Sequence, residues 1–319
     1  MSNEHDVSIA SAKNVIRNID HQLFDLVLLF WSKDGIFYKI DTIEDISSLK
    51  ESQRILFENI KAYIDIALLM THGKYWEDGV LQAMLEQQNI SYTGCRVLSS
   101  SVCMDKWFFK ELMDKNNINQ TKFESIDFSL MNDKLYRDKL ELIQKTFPLP
   151  IYVKPANSGS SVGISRVDDF GLLDSSIQEA KKHDSKVIVE EWLVSPKEIE
   201  VAVIGNWILT ISEPGELILT KDFYDYEDKY KNNEATVQIP ANISESLRWE
   251  IKLLAEKIYR ISDCRGFARI DFFVIDNQIY INEINTLPGF TDISMYPMLM
   301  QSTGISYTEL LTKIISLAY

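Results

Sequence analysis

The stretch that most constrains this chain lies toward its C-terminal end, where Ala268-Arg-Ile-Asp-Phe-Phe273 precedes Ile281-Asn-Glu-Ile-Asn-Thr-Leu-Pro-Gly289. Gly266 to Ile275 and Gln278 to Ile284 read as two strands, since β-branched and aromatic residues dominate them. Asp271, Glu283 and Asn285 interrupt that apolar text. Glu283 and Asn285 are two residues apart, so on a strand both project from one face. Two carboxylates and an amide oxygen converging on one point make a hard-oxygen site suited to Mg²⁺. Arg269, two residues from Asp271, adds a fixed positive charge suited to a phosphate or a developing oxyanion. The alternative reading of the same residues is the solvent face of a half-exposed sheet.

A second signal is Val153-Lys-Pro-Ala-Asn-Ser-Gly-Ser-Ser-Val-Gly163. Its small residues let backbone N–H groups approach a phosphate, and Lys154 at a strand end supplies a point charge. The lysine precedes the glycines, so this is not the GxxxxGK[ST] phosphate loop. A flexible surface hairpin fits the segment equally well, and Lys106 in Met104-Asp-Lys is weaker still when taken alone. A third signal, Val187-Ile-Val-Glu-Glu-Trp-Leu-Val194 followed by Glu198-Ile-Glu-Val201, can frame a flat base, with Glu198 accepting from ribose hydroxyls. A plain core strand with a solvated glutamate is the other reading.

Around these segments the chain alternates helix and strand patterns. Ile9 to Ile19 reads as an amphipathic helix, Leu26 to Trp31 and Ile66 to Met70 as buried strands, and Glu51 to Ile60 and Gly79 to Gln88 as helices. Strands separated by helices predict a parallel sheet covered on both faces. Helices are expected near Met104 to Lys115 and Asp133 to Phe147, then a strand at Ile151 to Lys154. Strands Val187 to Glu191, Glu198 to Ile204 and Trp207 to Ile211 follow, then the charged loop Asp222 to Ala235 and a helix from Ser244 to Ile261. The 319 residues suit two or three such α/β units. A net charge of −14 argues against nucleic acid, which needs clustered Lys and Arg. No apolar run approaches the length of a membrane span, and no leader opens the chain. Cys95, Cys103 and Cys264 lack metal spacing and read as reduced thiols of a cytoplasmic protein.

Taken together and in order, these segments resemble the D-alanine–D-alanine ligase family of the ATP-grasp superfamily. The resemblance extends over nearly the whole chain. It includes Ser2-Asn-Glu-His-Asp-Val-Ser8, His72-Gly73 with Glu77-Asp-Gly79, Tyr92-Thr-Gly94, Met104-Asp-Lys106, Lys154-Pro155 with Gly159-Ser-Ser-Val-Gly163, Gly266 to Asp271 and Asn282 to Ser294. It implies an α/β, three-domain ATP-grasp architecture. Residues 1–94 would form a parallel α/β unit, and residues 95–186 and 187–319 two α+β units that sandwich ATP. Lys106 and Lys154 would bind ATP phosphates, Glu190, Glu191, Trp192 and Leu193 the adenine, and Glu198 the ribose, with Ser160 and Lys229 also in the ATP site. Asp271, Glu283 and Asn285 would hold two Mg²⁺ ions, with Mn²⁺ an acceptable substitute. Glu4 would hold the first D-alanine's ammonium group, with His72 also at the substrate site. Arg269 and the backbone at Gly289 would stabilise the oxyanion, and Ser294 and Met295 would receive the second substrate's carboxylate. The loop Tyr224 to Tyr230 would close the site, with Tyr230, Ser160 and Glu4 in one hydrogen-bonded set favouring D-alanine at both positions. The family further implies a cytoplasmic homodimer acting in peptidoglycan precursor synthesis, without nucleic-acid or membrane partners.

Three departures from the family text set further expectations. The strand and paired glycines that usually precede Ser-x-Glu-His are missing before Ser2, which predicts a parallel sheet short of one strand. Asp6 replaces a glutamate, with a small expected effect on Glu4. Trp76 stands at a usual glycine, and would be strained if that position needs φ > 0. The rival readings are a ligase for another acceptor (D-serine, D-lactate or a secondary-metabolite amine) and an ATP-binding relative without ligase activity.

Overall fold

The computed structural model describes residues 4–159, 162–218 and 236–318. The chain opens with helix α1 (His5–Asn18), strands β1 (Leu28–Trp31), β2 (Phe37–Ile40), β3 (Arg54–Ile55) and β4 (Ile66–Ala67), helix α2 (Val80–Gln87) and strand β5 (Ser91–Tyr92). Next come α3 (Val97–Met104), α4 (Lys106–Lys115), β6 (Phe123–Asp127), α5 (Asp133–Thr146), β7 (Ile151–Pro155), β8 (Ser165–Val167), α6 (Leu173–Lys181) and β9 (Lys186–Glu191). The last part holds β10 (Lys197–Ile204), β11 (Thr210–Ile211), β12 (Gly215–Ile218), β13 (Thr236–Gln238) and α7 (Glu245–Ile261). It ends with β14 (Phe267–Ile275), β15 (Gln278–Asn285), α8 (Met295–Gln301) and α9 (Tyr307–Ser316). Among the described residues no helix is long and apolar enough to cross a membrane.

The N-terminal part departs from expectation in two places. Among the described residues of this part, only β4 and β5 pair in parallel. Leu28–Trp31 instead pairs antiparallel with Phe37–Ile40. The cause is local: Asp34-Gly35 makes a tight turn, with Gly35 at φ 82° and Ser32 N–H donating to Ile36 O at 2.8 Å. The helix expected over Glu51 to Ile60 is broken into 3₁₀ turns at Glu51–Gln53 and Phe57–Ala62, because Arg54–Ile55 is drawn into pairing with β2. An apolar cavity of about 720 Å³ lies among α1, β1 and β4, lined by Val15, Ile19, Leu29, Trp31, Leu69 and Leu85. None of the lysines, arginine or carboxylates assembled below lines it. The N-terminal part shares its core with the far end of the chain, since Val15, Leu69, Trp76 and Tyr92 pack with Phe290, Tyr296 and Leu311. The approach is close enough that a β-carbon at Gly266 would meet the Gly94 backbone at 3.0 Å.

Two antiparallel sheets follow. The central one is four-stranded, in the order β6-β9-β7-β8. Ile151, Val153, Val187 and Val189 on one face pack against Ile143 of α5 and Ile177 of α6. The second sheet is six-stranded, β13-β12-β10-β14-β15 with β11 beside β10. Ile199, Val201 and Val203 of β10 and Ala268, Ile270, Phe272 and Val274 of β14 pack on Ile251, Ala255 and Ile258 of α7. Each fully buried aliphatic side chain is worth about 1.5–3 kcal/mol, so these alternating positions decide which face turns inward. By the two-residue period the other face receives Glu198, Glu200, Arg269 and Asp271.

On β15 that period alone fails. Ile279 and Ile281 join the α7 core, and unbroken alternation would send Glu283 and Asn285 there as well. The pairing instead skips a residue. Asp271 lies opposite Glu283 and Phe272 opposite Ile281, leaving Asn282 as the extra residue of a β-bulge. Beyond it Ile284 takes the core position, and Glu283 and Asn285 turn to the charged face. Deleting Asn282 should therefore remove the bulge while leaving Glu283 opposite Asp271 and Ile284 in the α7 core, and, like Asn282→Ala, should cost under about 3 kcal/mol in urea denaturation. A loss above about 5 kcal/mol for the deletion, with Asn282→Ala tolerated, would contradict Asn282 as the extra residue of the ladder.

Candidate active site

The inner face of the central sheet carries cations around one buried carboxylate. Lys154 of β7 donates to Glu190 Oε2 of β9 at 2.8 Å. Lys110 of α4 lies 3.6 Å from Glu190 Oε1 and donates to Thr121 Oγ1 at 2.8 Å. Lys106, one helical turn before Lys110, donates to Ser158 O at 2.6 Å. Asp105 starts this helix by accepting from the N–H groups of Trp107 and Phe108, and also binds Lys186 and Asn157. Burial alone would raise the Glu190 carboxyl, but the charges of Lys110 and Lys154 and the hydrogen bond from Lys154 hold it at about 2. Burial pushes the Lys110 ammonium below its ordinary value, with Glu190 offsetting part of the fall.

The facing sheet carries the opposite charge. Glu200, Asp271 and Glu283 stand side by side on β10, β14 and β15. Three adjacent carboxylates repel one another unless cations intervene. Arg269 supplies one, donating from Nε and Nη2 to the two Asp271 oxygens at 2.8 and 2.7 Å and lying 2.9 Å from Glu200 Oε2. Burial would lower the Arg269 pKa, but Asp271 and Glu200 hold it well above the ordinary value. Lys106 reaches across from α4 to within 3.9 Å of Glu283 Oε2. Asn285 donates from Nδ2 to Asp271 Oδ2 at 2.9 Å. The three expected metal ligands are thus brought together, and their hard oxygens suit Mg²⁺ or Mn²⁺. Among the described residues no three His, Cys, Asp or Glu side chains hold a metal unaided. A divalent ion here would therefore complete its shell with Asn285, water and phosphate oxygens.

The expected substrate residues gather at one end of this gap. Glu4 directly precedes α1, and a β-carbon at Gly159 would lie 3.2 Å from Glu4 Oε2, so the glycine loop and this carboxylate are in contact. Asp6 is almost fully exposed, with 92% of its side chain accessible, so its replacement of glutamate touches little. His72 is buried, with Nδ1 2.9 Å from Leu287 O, Nε2 3.0 Å from Ser11 Oγ, and Glu77 at 3.6 Å. Burial lowers its pKa, but the hydrogen bond and charge of Glu77, with Glu4 adding, leave it raised. Left-handed backbone in this segment falls on Gly73, on Tyr75 (φ 74°) and on Gly79, and not on Trp76. The Trp76 ring packs edge-on against Trp31, 4.1 Å between centroids. A β-carbon at Gly289 would sit 2.8 Å from Ser294 Oγ, and Ser294 Oγ accepts from Thr291 N–H at 2.9 Å. The Met295 side chain is buried in the first core, leaving its main chain to face a ligand.

Among the adenine candidates, the Glu190 side chain is turned to the lysines, and Glu191 Oε1 accepts from Lys122 N–H at 2.8 Å. The Trp192 ring packs on Tyr152, 4.7 Å between centroids, and the Arg166 guanidinium lies over the Trp192 ring at 4.5 Å. A base is therefore left the main chain of residues 190–193. Glu198 lies on the charged face opposite Phe273. Ser160, Lys229, Tyr230 and the loop Asp222 to Ala235 lie outside the described residues. Two functional-site residues escaped sequence reasoning, although spacing held the clue. Lys110 is four residues after Lys106 on one helix, and Glu200 two after Glu198 on one strand. Cys95, Cys103 and Cys264 are free and buried.

Two sheets holding lysines on one inner face and hard-oxygen donors on the other define an ATP-grasp fold. A family model described as the D-ala D-ala ligase C-terminus matches residues 112–316, and its N-terminal counterpart matches residues 1–95. The D-alanine–D-alanine ligase of Caldicellulosiruptor bescii is 41% identical over 342 aligned residues, covering 100% of this chain and 92% of that protein. That of Clostridium novyi is 38% identical, covering 99% and 95%. Among solved structures, the VanG D-Ala:D-Ser ligase from Enterococcus faecalis superposes with a TM-score of 0.87 at 30% identity, covering 99% of this chain and 96% of that one. The D-alanine–D-alanine ligase from Coxiella burnetii gives 0.81 at 29% identity, covering 99% and 91%. The chain belongs to the D-alanine–D-alanine ligase family.

The Glu190 ion pairs give a pH-dependent expectation. Its folded pKa lies below the unfolded value of 4.5, so its contribution is complete above pH 4.5 and is lost as pH falls toward about 2. Glu190→Gln should cost roughly 3–5 kcal/mol at neutral pH, because it leaves buried lysines unpaired. The gap in melting temperature between the two proteins should then narrow steadily below pH 4.5. A gap independent of pH would contradict the ion-pair assignment.

Proposed function

We propose that this chain joins two D-alanine molecules at the expense of ATP, as a cytoplasmic homodimer supplying a dipeptide for peptidoglycan precursors. The observation that carries the reading is the gap between oppositely charged sheet faces, closed at one end by Glu4 against the glycine loop. The working division is residues 1–94 for the first substrate, 95–186 for the central unit and 187–319 for the C-terminal unit, with β9 completing the central sheet.

Lys106 and Lys154 bind ATP phosphate oxygens, and Lys110 keeps Glu190 charged beside them. The main chain of residues 190–193 takes the adenine edge, Glu198 the ribose, and Ser160 and Lys229 further phosphate oxygens. Asp271, Glu283 and Asn285 would hold two Mg²⁺ ions, which would neutralise phosphate charge. Glu4 holds the ammonium group of the first D-alanine, leaving its carboxylate directed at the γ-phosphorus. A carboxylate oxygen bonds to that phosphorus as the bond to ADP breaks, giving D-alanyl phosphate. The second D-alanine, its carboxylate on Ser294 and the Met295 main chain, attacks the carbonyl carbon through its amine. Arg269 and the Gly289 N–H receive the oxyanion charge, phosphate leaves, and the amine loses a proton. Tyr230 joins Ser160 and Glu4 around the first substrate. Since an acyl phosphate hydrolyses in water, the step needs a closed site.

A second reading, D-serine as acceptor, draws support from the likeness to a D-Ala:D-Ser ligase at 30% identity. The relatives at 38–41% identity carry the D-alanine–D-alanine name, which favours D-alanine. Purified protein with ATP and Mg²⁺ should release ADP and form D-alanyl-D-alanine, read by mass, from D-alanine alone. Product only after D-serine or D-lactate is added would move the assignment to that acceptor. Nucleotide binding with no product from any of them would sink the ligase reading.

A further inference from the structure

Helix α1 turns a stripe of polar side chains, not an apolar one, toward the loop that carries Gly289. Ser8, Ser11 and Asn14 follow at three-residue intervals, which stacks them on one helix face. Ser8 Oγ donates to Glu4 O at 3.1 Å and accepts from His72 N–H at 3.0 Å. Ser11 Oγ is fully buried, accepts from Phe290 N–H at 3.2 Å and lies 3.0 Å from His72 Nε2. Asn14 Nδ2 donates to Phe290 O at 2.9 Å, and the Tyr307 hydroxyl donates to the same oxygen at 2.7 Å. Both main-chain polar groups of Phe290 are thereby held by side chains. His72 Nδ1 holds a third point of the same loop, Leu287 O, at 2.9 Å.

These groups sit in an apolar setting. The Phe290 ring is fully buried among Phe267, Tyr296 and Tyr307. Buried hydroxyls and amides are costly unless bonded, and apolar residues on α1 would fill the same volume without that cost. What the polar stripe adds is directional: it fixes where the two peptide units flanking Phe290 lie. The first of these units follows Gly289, where an added β-carbon would sit 2.8 Å from Ser294 Oγ. The residue directly preceding the same helix is Glu4.

We propose that Ser11 and Asn14 are positioning residues for the peptide-forming step. They clamp the two peptide units that flank Phe290, Ser11 through the Phe290 N–H and Asn14 through the Phe290 C=O, so that the Gly289 N–H, one peptide unit earlier, is fixed where the oxyanion develops. Because α1 also carries Glu4, one rigid helix sets the separation between the first substrate's ammonium site and the oxyanion site. The inference rests on the ligase reading above and extends it to residues that never touch substrate. It places their effect on the second chemical step, attack on the acyl phosphate, and not on its formation.

The test compares Ser11→Ala, Ser11→Thr and Tyr307→Phe with the unsubstituted chain. Dipeptide formation is measured alongside D-alanine-dependent exchange of ¹⁸O in the β–γ bridge of ATP, which reports acyl phosphate formation alone. Ser11→Ala should lower kcat for dipeptide by about tenfold to a hundredfold, the size expected for a misplaced oxyanion donor. Its KM for ATP and its isotope exchange should stay within about twofold of the parent. Tyr307→Phe, which removes one of two donors to Phe290 O without emptying the core, should show a smaller drop of the same kind. Ser11→Thr keeps the hydroxyl and should recover most of the rate. Isotope exchange falling in step with dipeptide formation, or Ser11→Thr failing to recover while folded, would overturn the proposal in favour of a purely structural role. No product from the unsubstituted chain would overturn the ligase reading and this inference with it.

Discussion

Charges that neutralise one another across a gap between two sheets are what this molecule is organised around. Moving an ion from water into protein costs several kcal/mol, recovered only when partners and hydrogen bonds are well placed. Here Glu190 is placed between Lys110 and Lys154, and Arg269 between Asp271 and Glu200, with Lys106 reaching over to Glu283. Removing any one of these weakens the hold on its neighbour. The same arrangement is suited to exchange: phosphate oxygens can replace carboxylates beside the lysines, and divalent cations can replace the lysine and arginine beside the carboxylates. The chain as a whole is acidic, at −14, yet three of its lysines face the same gap. Local field, and not net charge, decides what the gap attracts.

The rest of the fold serves to hold these charges in register. The central sheet buries valines and isoleucines against α5 and α6, which forces Lys154 and Glu190 to the other side. The larger sheet does the same against α7, and the bulge at Asn282 keeps β15 in phase with that division where simple alternation would break it. Residues from the two ends of the chain share one core, so α1 and the Phe290 loop are fastened together. That fastening brings Glu4 and the glycine loop to the end of the charged gap.

Much of the site was legible in the sequence because strand text with embedded polar residues is unusual. Asp271, Glu283 and Asn285 stood out on that ground, and they do converge. Their shared face, however, depends on a bulge that alternation from Ile279 and Ile281 argues against. Lys110 and Glu200 were hidden because a single lysine or glutamate carries little information until a partner strand supplies the opposing charge. Ser11 and Asn14 were hidden inside a helix read as amphipathic, since their partners lie almost 280 residues away. In the fold, the long helices with clear caps fell where expected, α5 after Asn132 and α7 after Ser244. The short N-terminal strands did not, because the Asp34-Gly35 turn and the capture of Arg54–Ile55 by β2 are decided by pairing that local periodicity does not encode.

The central claim is that the gap between the two sheets takes ATP with its phosphates between the lysines and the carboxylates. A crystal structure of the protein with a non-hydrolysable ATP analogue and Mn²⁺ tests it most directly, because manganese is located independently by its anomalous signal. The account predicts anomalous peaks beside Asp271, Glu283 and Asn285, with phosphate oxygens reaching from there to Lys106 and Lys154. Manganese elsewhere, or a nucleotide bound outside this gap with the Lys154–Glu190 and Arg269–Asp271 pairs undisturbed, would contradict it.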